Sequence, residues 1–142
     1  MTTSASGEVI EEWAAVWSSP TMREQLVSLF TDDCVYEDVT MGVVNHGKSE
    51  VANFYTLVFG AFPDFKMELT SHFMAGTWAG AEWLMTGTHQ GDLPGLPATN
   101  KPFSIRGASV FELQGTRFSR CSDYWDMATF LKQIEVMPAE EQ

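Results

Sequence analysis

Apolar residues at Ile10, Trp13, Ala14 and Trp17 recur at i, i+3, i+4 and i+7, which predicts an amphipathic helix near the start of the chain. Ser19 and Pro20 then read as an N-cap and first-turn proline for a second helix, with Leu26, Leu29 and Phe30 turned inward and its end at "TDDC". The β-branched and aromatic stretch "CVYEDVTM" predicts a short strand, followed by a loop through Gly42 and "NHG". A third helix carries Val51, Phe54, Tyr55, Val58 and Phe62 on one face and stops before Pro63. From Phe65 the period changes to two: Phe65, Met67, Leu69, Ser71 and Phe73 alternate with polar positions, and further strands are predicted over about 77–89, 101–114 and 116–126. The turns between them are "AGTWAG", "QGDLPGLPATN" and "LQGT". Met127, Phe130, Leu131 and Ile134 predict a short C-terminal helix.

Helices followed by turn-linked strands predict an α+β fold, with the N-terminal helices packed on the concave face of a curved, mostly antiparallel sheet. A sheet bent around helices leaves a cavity at its open end, and a concave apolar cavity with a few polar groups is the usual small-molecule site. The length of 142 residues suits one domain over 1–142, with 1–7 and 138–142 expected to be flexible.

Charge narrows the partners. Eight Lys and Arg against nineteen Asp and Glu give a formal net charge of −11, scattered without a basic patch, which disfavours nucleic acid. No apolar run reaches the ~20 residues of a membrane span, and "MTTSASGEVIEEW" has neither the basic nor the apolar region of a signal peptide, so a cytoplasmic protein is expected. Cys34 and Cys121 are too few and too far apart for a zinc site and read as reduced, buried thiols. No metal and no cofactor is expected.

The candidate chemistry centres on "RCSDYWDM", Arg120 to Met127. By strand alternation Asp123 shares a face with Cys121 and Trp125, while Asp126 lies on the other face, where it can cap the last helix. A desolvated aspartate has its pKa raised toward the working pH, so Asp123 reads as a pocket acid/base; pairing with Arg106 or Arg120 is the structural alternative. Alternation sends Glu37 and Asp38 to opposite faces of their strand, so at most one enters a pocket. His89 ends the strand in "GTH" and could relay a proton or donate to an oxyanion, or merely bond backbone. His72 and His46 read as outward-facing and turn residues. Arg106 needs a carboxylate if buried, with Asp123 as the candidate partner. Trp13, Trp17, Tyr36, Tyr55, Trp83, Met85 and Trp125, with Arg106, are the candidate substrate-binding set, although such aromatics also build ordinary cores. No phosphate loop and no GxSxG element is present.

The order "FPDF", "LMTGTHQGDLPGLPATNKPFSIRG", "FELQGTRFSRCSDYWDMATFLKQIEVMP" resembles the SnoaL-like polyketide cyclases of the nuclear-transport-factor-2-like superfamily, over roughly residues 8 to 138. The resemblance implies a cone-shaped α+β fold, a homodimer formed through the outer sheet face, and membership of a superfamily containing cyclases, isomerases, dehydratases, epoxide hydrolases and proteins without known activity. "YEDVTMGVVNHGKSEVANFY" is similar to the ketosteroid isomerase segment whose aspartate, at the place of Asp38, is the general base. "RCSDYWD" is similar to a limonene-type epoxide hydrolase motif, with Asp123 at the place of the cyclase acid/base. The isomerases' oxyanion tyrosine on the first helix is replaced by Trp13 and Trp17, their second aspartate by Gly107, and the epoxide hydrolases' Arg-x-Asp is missing from "WLMTGTHQG". The reading is a small-molecule enzyme that moves a proton with Asp123, helped by Asp38 or His89, on an apolar, cyclic or carbonyl-containing substrate. A non-catalytic ligand-binding domain is the alternative. An epoxide hydrolase, with Arg106 replacing the missing arginine, is third.

Overall fold

The computed structural model describes residues 5–138, so most of the two ends expected to be flexible lie outside the described residues. The elements run α1 (Ala5–Val16), α2 (Arg23–Ser28), β1 (Phe30–Asp38), β2 (Val43–His46), α3 (Gly47–Ala61), β3 (Lys66–Ala75), β4 (Trp78–Thr88), β5 (Pro102–Gln114), β6 (Arg117–Trp125) and α4 (Met127–Gln133). They form the α+β fold expected, with one six-stranded sheet in the order β2-β1-β6-β5-β4-β3. All neighbours are antiparallel except β1 and β6, which run parallel.

Strand alternation decides which face holds the core. On β5, Phe103, Ile105, Ser109, Phe111 and Leu113 are buried while Ser104, Arg106 and Val110 are exposed. Helices α1 and α3 lie against the sheet through β3 and β1, and their Ile10, Trp13, Trp17, Val51 and Phe54 join Phe30, Tyr36, Phe111 and Phe118 in a single core cluster. Trp13 meets Phe111 edge-on at 5.1 Å, and Phe111 stacks on Phe118 at 4.7 Å, favoured aromatic geometries that fill the closed end of the core.

Four local expectations change. The alternation that puts Phe73 with Met67 and Leu69 breaks at a register shift between Leu69 and Ser71, so Phe73 turns to the outer face and His72 turns toward Glu11 of α1, at 3.5 Å. Helix α2 begins at Arg23 rather than at Pro20, because the Ser19 carbonyl accepts from the Tyr55 hydroxyl and the Met22 N–H donates to that same hydroxyl at 2.9 Å, which holds the connection out of helix. Strand β1 takes in "TDDC", since Phe30 already pairs with Phe118 of β6 ahead of a register shift. Strand β2 lies in the expected loop: Val43 to His46 pair with Asp38 to Val35 around a tight turn closed by Gly42 N–H on the Asp38 carbonyl at 2.9 Å. Gly42 has φ +73, a left-handed conformation that glycine adopts without a side-chain penalty. Asp126 caps α4 as expected, its carboxylate accepting the Thr129 N–H at 3.0 Å. That cap seats buried Phe130 edge-on against Trp125 at 5.5 Å.

Candidate functional site

Between the sheet and α1 and α3 lies a cavity of about 420 Å³, counted with its mouth, lined by Trp17, Tyr36, Asp38, Met41, Phe54, Val58, Phe62, Phe65, Met67, Trp83, Met85, Asp123 and Trp125. Its enclosed part is about 50 Å³, and the rest includes space open to solvent. Its walls are apolar and aromatic apart from two carboxylates, and no Lys, Arg or His is among the lining residues.

The carboxylates meet because β1 and β6 pair in parallel with Asp38 opposite Asp123. Both are 5% exposed, so nearly all of their hydration has been replaced by protein. Asp38 receives only N–H donors: Met41 N–H reaches Oδ1 at 2.9 Å and the Trp125 indole N–H lies 3.1 Å from both oxygens. Burial pushes its pKa above the usual carboxylate range, and the N–H groups of Met41, Trp125 and Thr40 pull it part of the way back. Asp123 is pushed up to about 7, first by burial and then by the neighbouring Asp38 charge, against the lowering effect of Ser109, Tyr36 and Cys121. Ser109 Oγ lies 2.6 Å from Oδ1, the Tyr36 hydroxyl 2.7 Å from Oδ2, and Cys121 Sγ 3.5 Å from Oδ1.

Two carboxylates in one apolar pocket, one surrounded by N–H donors and one near half protonation at neutral pH, can divide base and acid roles between them. Of the residues singled out from sequence, Asp123, Asp38, Trp17, Tyr36, Trp83, Met85 and Trp125 come together here. Trp125 shares the inward face of β6 with Asp123, and its indole reaches across to Asp38.

Four others do not line the cavity. His89 is fully buried behind Phe62 and Phe130, at ring distances of 5.8 and 6.2 Å, and its Nδ1 lies 3.1 Å from Thr99 Oγ1 and accepts the Thr99 N–H at 3.3 Å. It secures the loop after β4, and burial lowers its pKa. Trp13 is core, one turn deeper than Trp17. Tyr55 spends its hydroxyl on the α1–α2 connection. Arg106 is exposed on the outer face, because Ile105 beside it points inward, and it is not paired with Asp123. Arg120 lies 3.8 Å from Glu37 instead. The two carboxylates therefore have no arginine beside them, and neither is held by the ion pair considered as the structural alternative for Asp123.

Sequence reasoning missed Ser109, Met41 and the apolar wall of Phe54, Val58, Phe62, Phe65 and Met67. Ser109 carried a signal: it is a hydroxyl at an inward position between Ile105 and Phe111 on an alternating strand. Gly107, where a second oxyanion aspartate would stand, lies flat under Trp83, whose ring atoms would come within 2.3 Å of an added Cβ. A side chain at 107 and the observed Trp83 are mutually exclusive.

A curved α+β sheet closed by helices over a carboxylate-bearing cavity is the ketosteroid isomerase-like, nuclear-transport-factor-2-like fold. Within it, a family model described as SnoaL-like polyketide cyclase matches residues 7–134, and the chain belongs to that family. Among solved structures it is similar to a protein of ketosteroid isomerase-like fold from Catenulispora acidiphila in complex with trimethylamine, at 22% identity over 95% of this chain and 97% of that one, with a TM-score of 0.81. It is similar also to a protein from Jannaschia sp. assigned as a SnoaL-like polyketide cyclase, at 14% identity, 95% and 94% coverage and a TM-score of 0.84. A phenazine biosynthesis-related protein from Pseudomonas aeruginosa shares the fold at 16% identity, 97% and 85% coverage and a TM-score of 0.80. No curated protein matches the chain. No helix among the described residues is long and apolar enough to cross a membrane.

Proposed function

We propose that the chain is an enzyme of the cyclase or isomerase type that moves a proton on a small, apolar, carbonyl-containing or cyclic substrate. The observation that carries the reading is the pair Asp38 and Asp123, both buried, side by side and facing one apolar cavity. Asp38, stabilised as an anion by three N–H donors, takes a proton from the carbon next to the carbonyl; the C–H electrons pass into the enolate. The Asp123 side of the cavity supplies the proton or hydrogen bond at the enolate oxygen. Return of the Asp38 proton to another carbon completes an isomerisation, and attack of the enolate carbon on a second carbonyl, whose oxygen takes the Asp38 proton as the first carbonyl re-forms, completes a cyclisation. An epoxide hydrolase reading lacks support, since its arginine would have to come from Arg106 on the opposite face of the sheet. The Catenulispora neighbour, in complex with trimethylamine, is a protein of the same fold with a small organic ligand.

Incubation with 1-tetralone in D2O tests the reading without knowledge of the natural substrate. The wild-type protein is expected to deuterate the ketone's α-carbon well above the buffer rate, followed by proton NMR. Binding of the ketone with exchange no faster than in buffer would show a ligand-binding domain instead.

A homodimer through the outer sheet face belongs to the same reading. Phe73, at 63% exposure, lies on that face with Val110 and Tyr124, a patch of apolar surface that a second subunit would cover. Sedimentation is expected to give twice the 15.8 kDa chain mass, and Tyr124→Lys to return it to one; a wild-type monomer removes the dimer from the proposal.

A further inference from the structure

The direction of every hydrogen around Asp123 follows from one donor-only group. The Trp83 indole N–H donates to Ser109 Oγ at 2.9 Å, so the Ser109 hydroxyl must send its own hydrogen elsewhere, and Asp123 Oδ1 lies 2.6 Å away. The Cys121 thiol also faces Oδ1, at 3.5 Å. With two donors already on Oδ1, a proton bound by Asp123 resides on Oδ2. There the partner is the Tyr36 hydroxyl at 2.7 Å.

A phenol has one hydrogen to give. When Asp123 is ionised, Tyr36 donates to Oδ2 and offers nothing else. When Asp123 holds a proton, Oδ2–H donates to Tyr36 Oη, and the phenolic O–H is released from the carboxylate. Tyr36 is 1% exposed and lines the cavity, so the released hydrogen has the cavity as an outlet, with the Cys121 sulfur as its weak competitor. Of the other N–H donors at the cavity, Trp83 is committed to Ser109 and Trp125 and Met41 to Asp38, whereas the Trp17 indole N–H has no partner and does not change with the protonation of Asp123.

We propose that Tyr36, loaded by Asp123, is the group that donates to the substrate oxygen. The proposal rests on the proton-transfer reading and assigns the acid role within it. As Asp38 takes the carbon-bound proton, the phenolic hydrogen passes to the enolate oxygen and Tyr36 takes the Oδ2 proton. Asp123 is left ionised, Asp38 neutral and Tyr36 neutral. The pair carries one proton before and after the step, so no net charge is created in the apolar cavity. The reverse transfers reload Asp123 when Asp38 returns its proton to carbon.

The titratable groups facing Asp123 are Tyr36 and Asp38 on β1 and Cys121 on β6, while β5 contributes Ser109. On the helical side the cavity lining is Trp17, directly after α1, with Phe54 and Val58 of α3, none of them ionisable. Tyr36 and Cys121 are held well above their ordinary values by burial first and by the Asp123 charge second, so neither titrates near neutrality. The Tyr36 donor is therefore switched by the Asp123–Asp38 pair, while the Trp17 indole is not.

Two probes of one shape read this out: 1-tetralone, which has a carbonyl oxygen, and tetralin, which has none. At about pH 5.5, with Asp123 protonated, the wild-type protein is expected to prefer the ketone by about tenfold, the value of one buried hydrogen bond. By about pH 8.5, above the Asp123 value, that preference fades. Asp123→Asn keeps it at both pH values, because the Ser109 hydroxyl directs the carboxamide oxygen to itself and leaves the N–H₂ to donate to Tyr36 Oη as the protonated acid does. Tyr36→Phe loses it at both. A preference that survives in Tyr36→Phe, or one that does not change with pH in the wild type, overturns the relay. The ¹³Cζ resonance of Tyr36, one of three tyrosines, gives a wild-type reading that needs no folded variant: it is expected to follow the Asp123 titration and to move with 1-tetralone but not with tetralin. A Tyr36 resonance blind to both overturns the proposal. Failure of the wild type to bind either probe instead overturns the cavity reading, from which the relay is then distinguished.

Discussion

Asp38→Asn is expected to slow α-deuteration of 1-tetralone by about 10²–10⁴-fold, the contribution of a positioned general base. The carboxamide is the same shape as the carboxylate and keeps an oxygen for the Met41 N–H or the Trp125 indole, so the cavity and its affinity for the ketone should change little. It cannot accept the proton. The same substitution removes the charge that stands second among the causes raising Asp123, so the Asp123 midpoint is expected to move down from about 7. Deuterium incorporation, binding and carbon-detected carboxyl titration on one sample check the three parts. Exchange at the wild-type rate in Asp38→Asn would remove Asp38 from the mechanism and leave Asp123 as the base.

Asp123→Asn should stabilise the protein at alkaline pH by several kcal/mol. The carboxyl has its pKa raised from 3.8 to about 7 in the folded chain, so between those values the native state holds a proton that the unfolded state has lost, and stability falls as pH rises through the window. At about 1.36 kcal/mol per unit the span amounts to roughly 4 kcal/mol, present below the unfolded value and lost once pH passes the folded one. Urea unfolding of wild type and Asp123→Asn at about pH 4 and about pH 8 measures the difference, which should grow by about that amount in favour of the variant. A difference that is flat with pH, or that shrinks, would mean that Asp123 is not held in the protonated form by its surroundings. A buried carboxylate that carries such a cost is a candidate functional group.

Much of this was legible in the chain. Helical spacing in "VIEEWAAVW" and "VANFYTLVF", alternation after Phe65, and the turns between strands placed most elements, because each pattern reports on a face that must be buried within one element. Asp126 as a cap and Asp123 on the inward face of β6 follow from equally local rules. Strand β2 did not show itself: four residues with the burial pattern half-buried, exposed, buried, exposed are too short to set a period, and they are held by pairing to β1.

The site itself was decided elsewhere. Alternation on β5 already sends Arg106 outward, yet its charge suggested a carboxylate partner; the surface supplies water instead, and no partner is needed. Tyr55 and His89 have the composition of site residues but use their polar atoms on loops, at Ser19 and Met22 and at Thr99. The sequence by itself determined the periods, the caps and the identity of Asp123 as an inward carboxylate. Only the tertiary structure brought Asp38 beside it and set Ser109, Trp83 and Tyr36 around it. Those neighbours come from strands far apart in the chain, joined by pairing register, and a carboxylate's pKa depends on the water and charge that such neighbours exclude or supply.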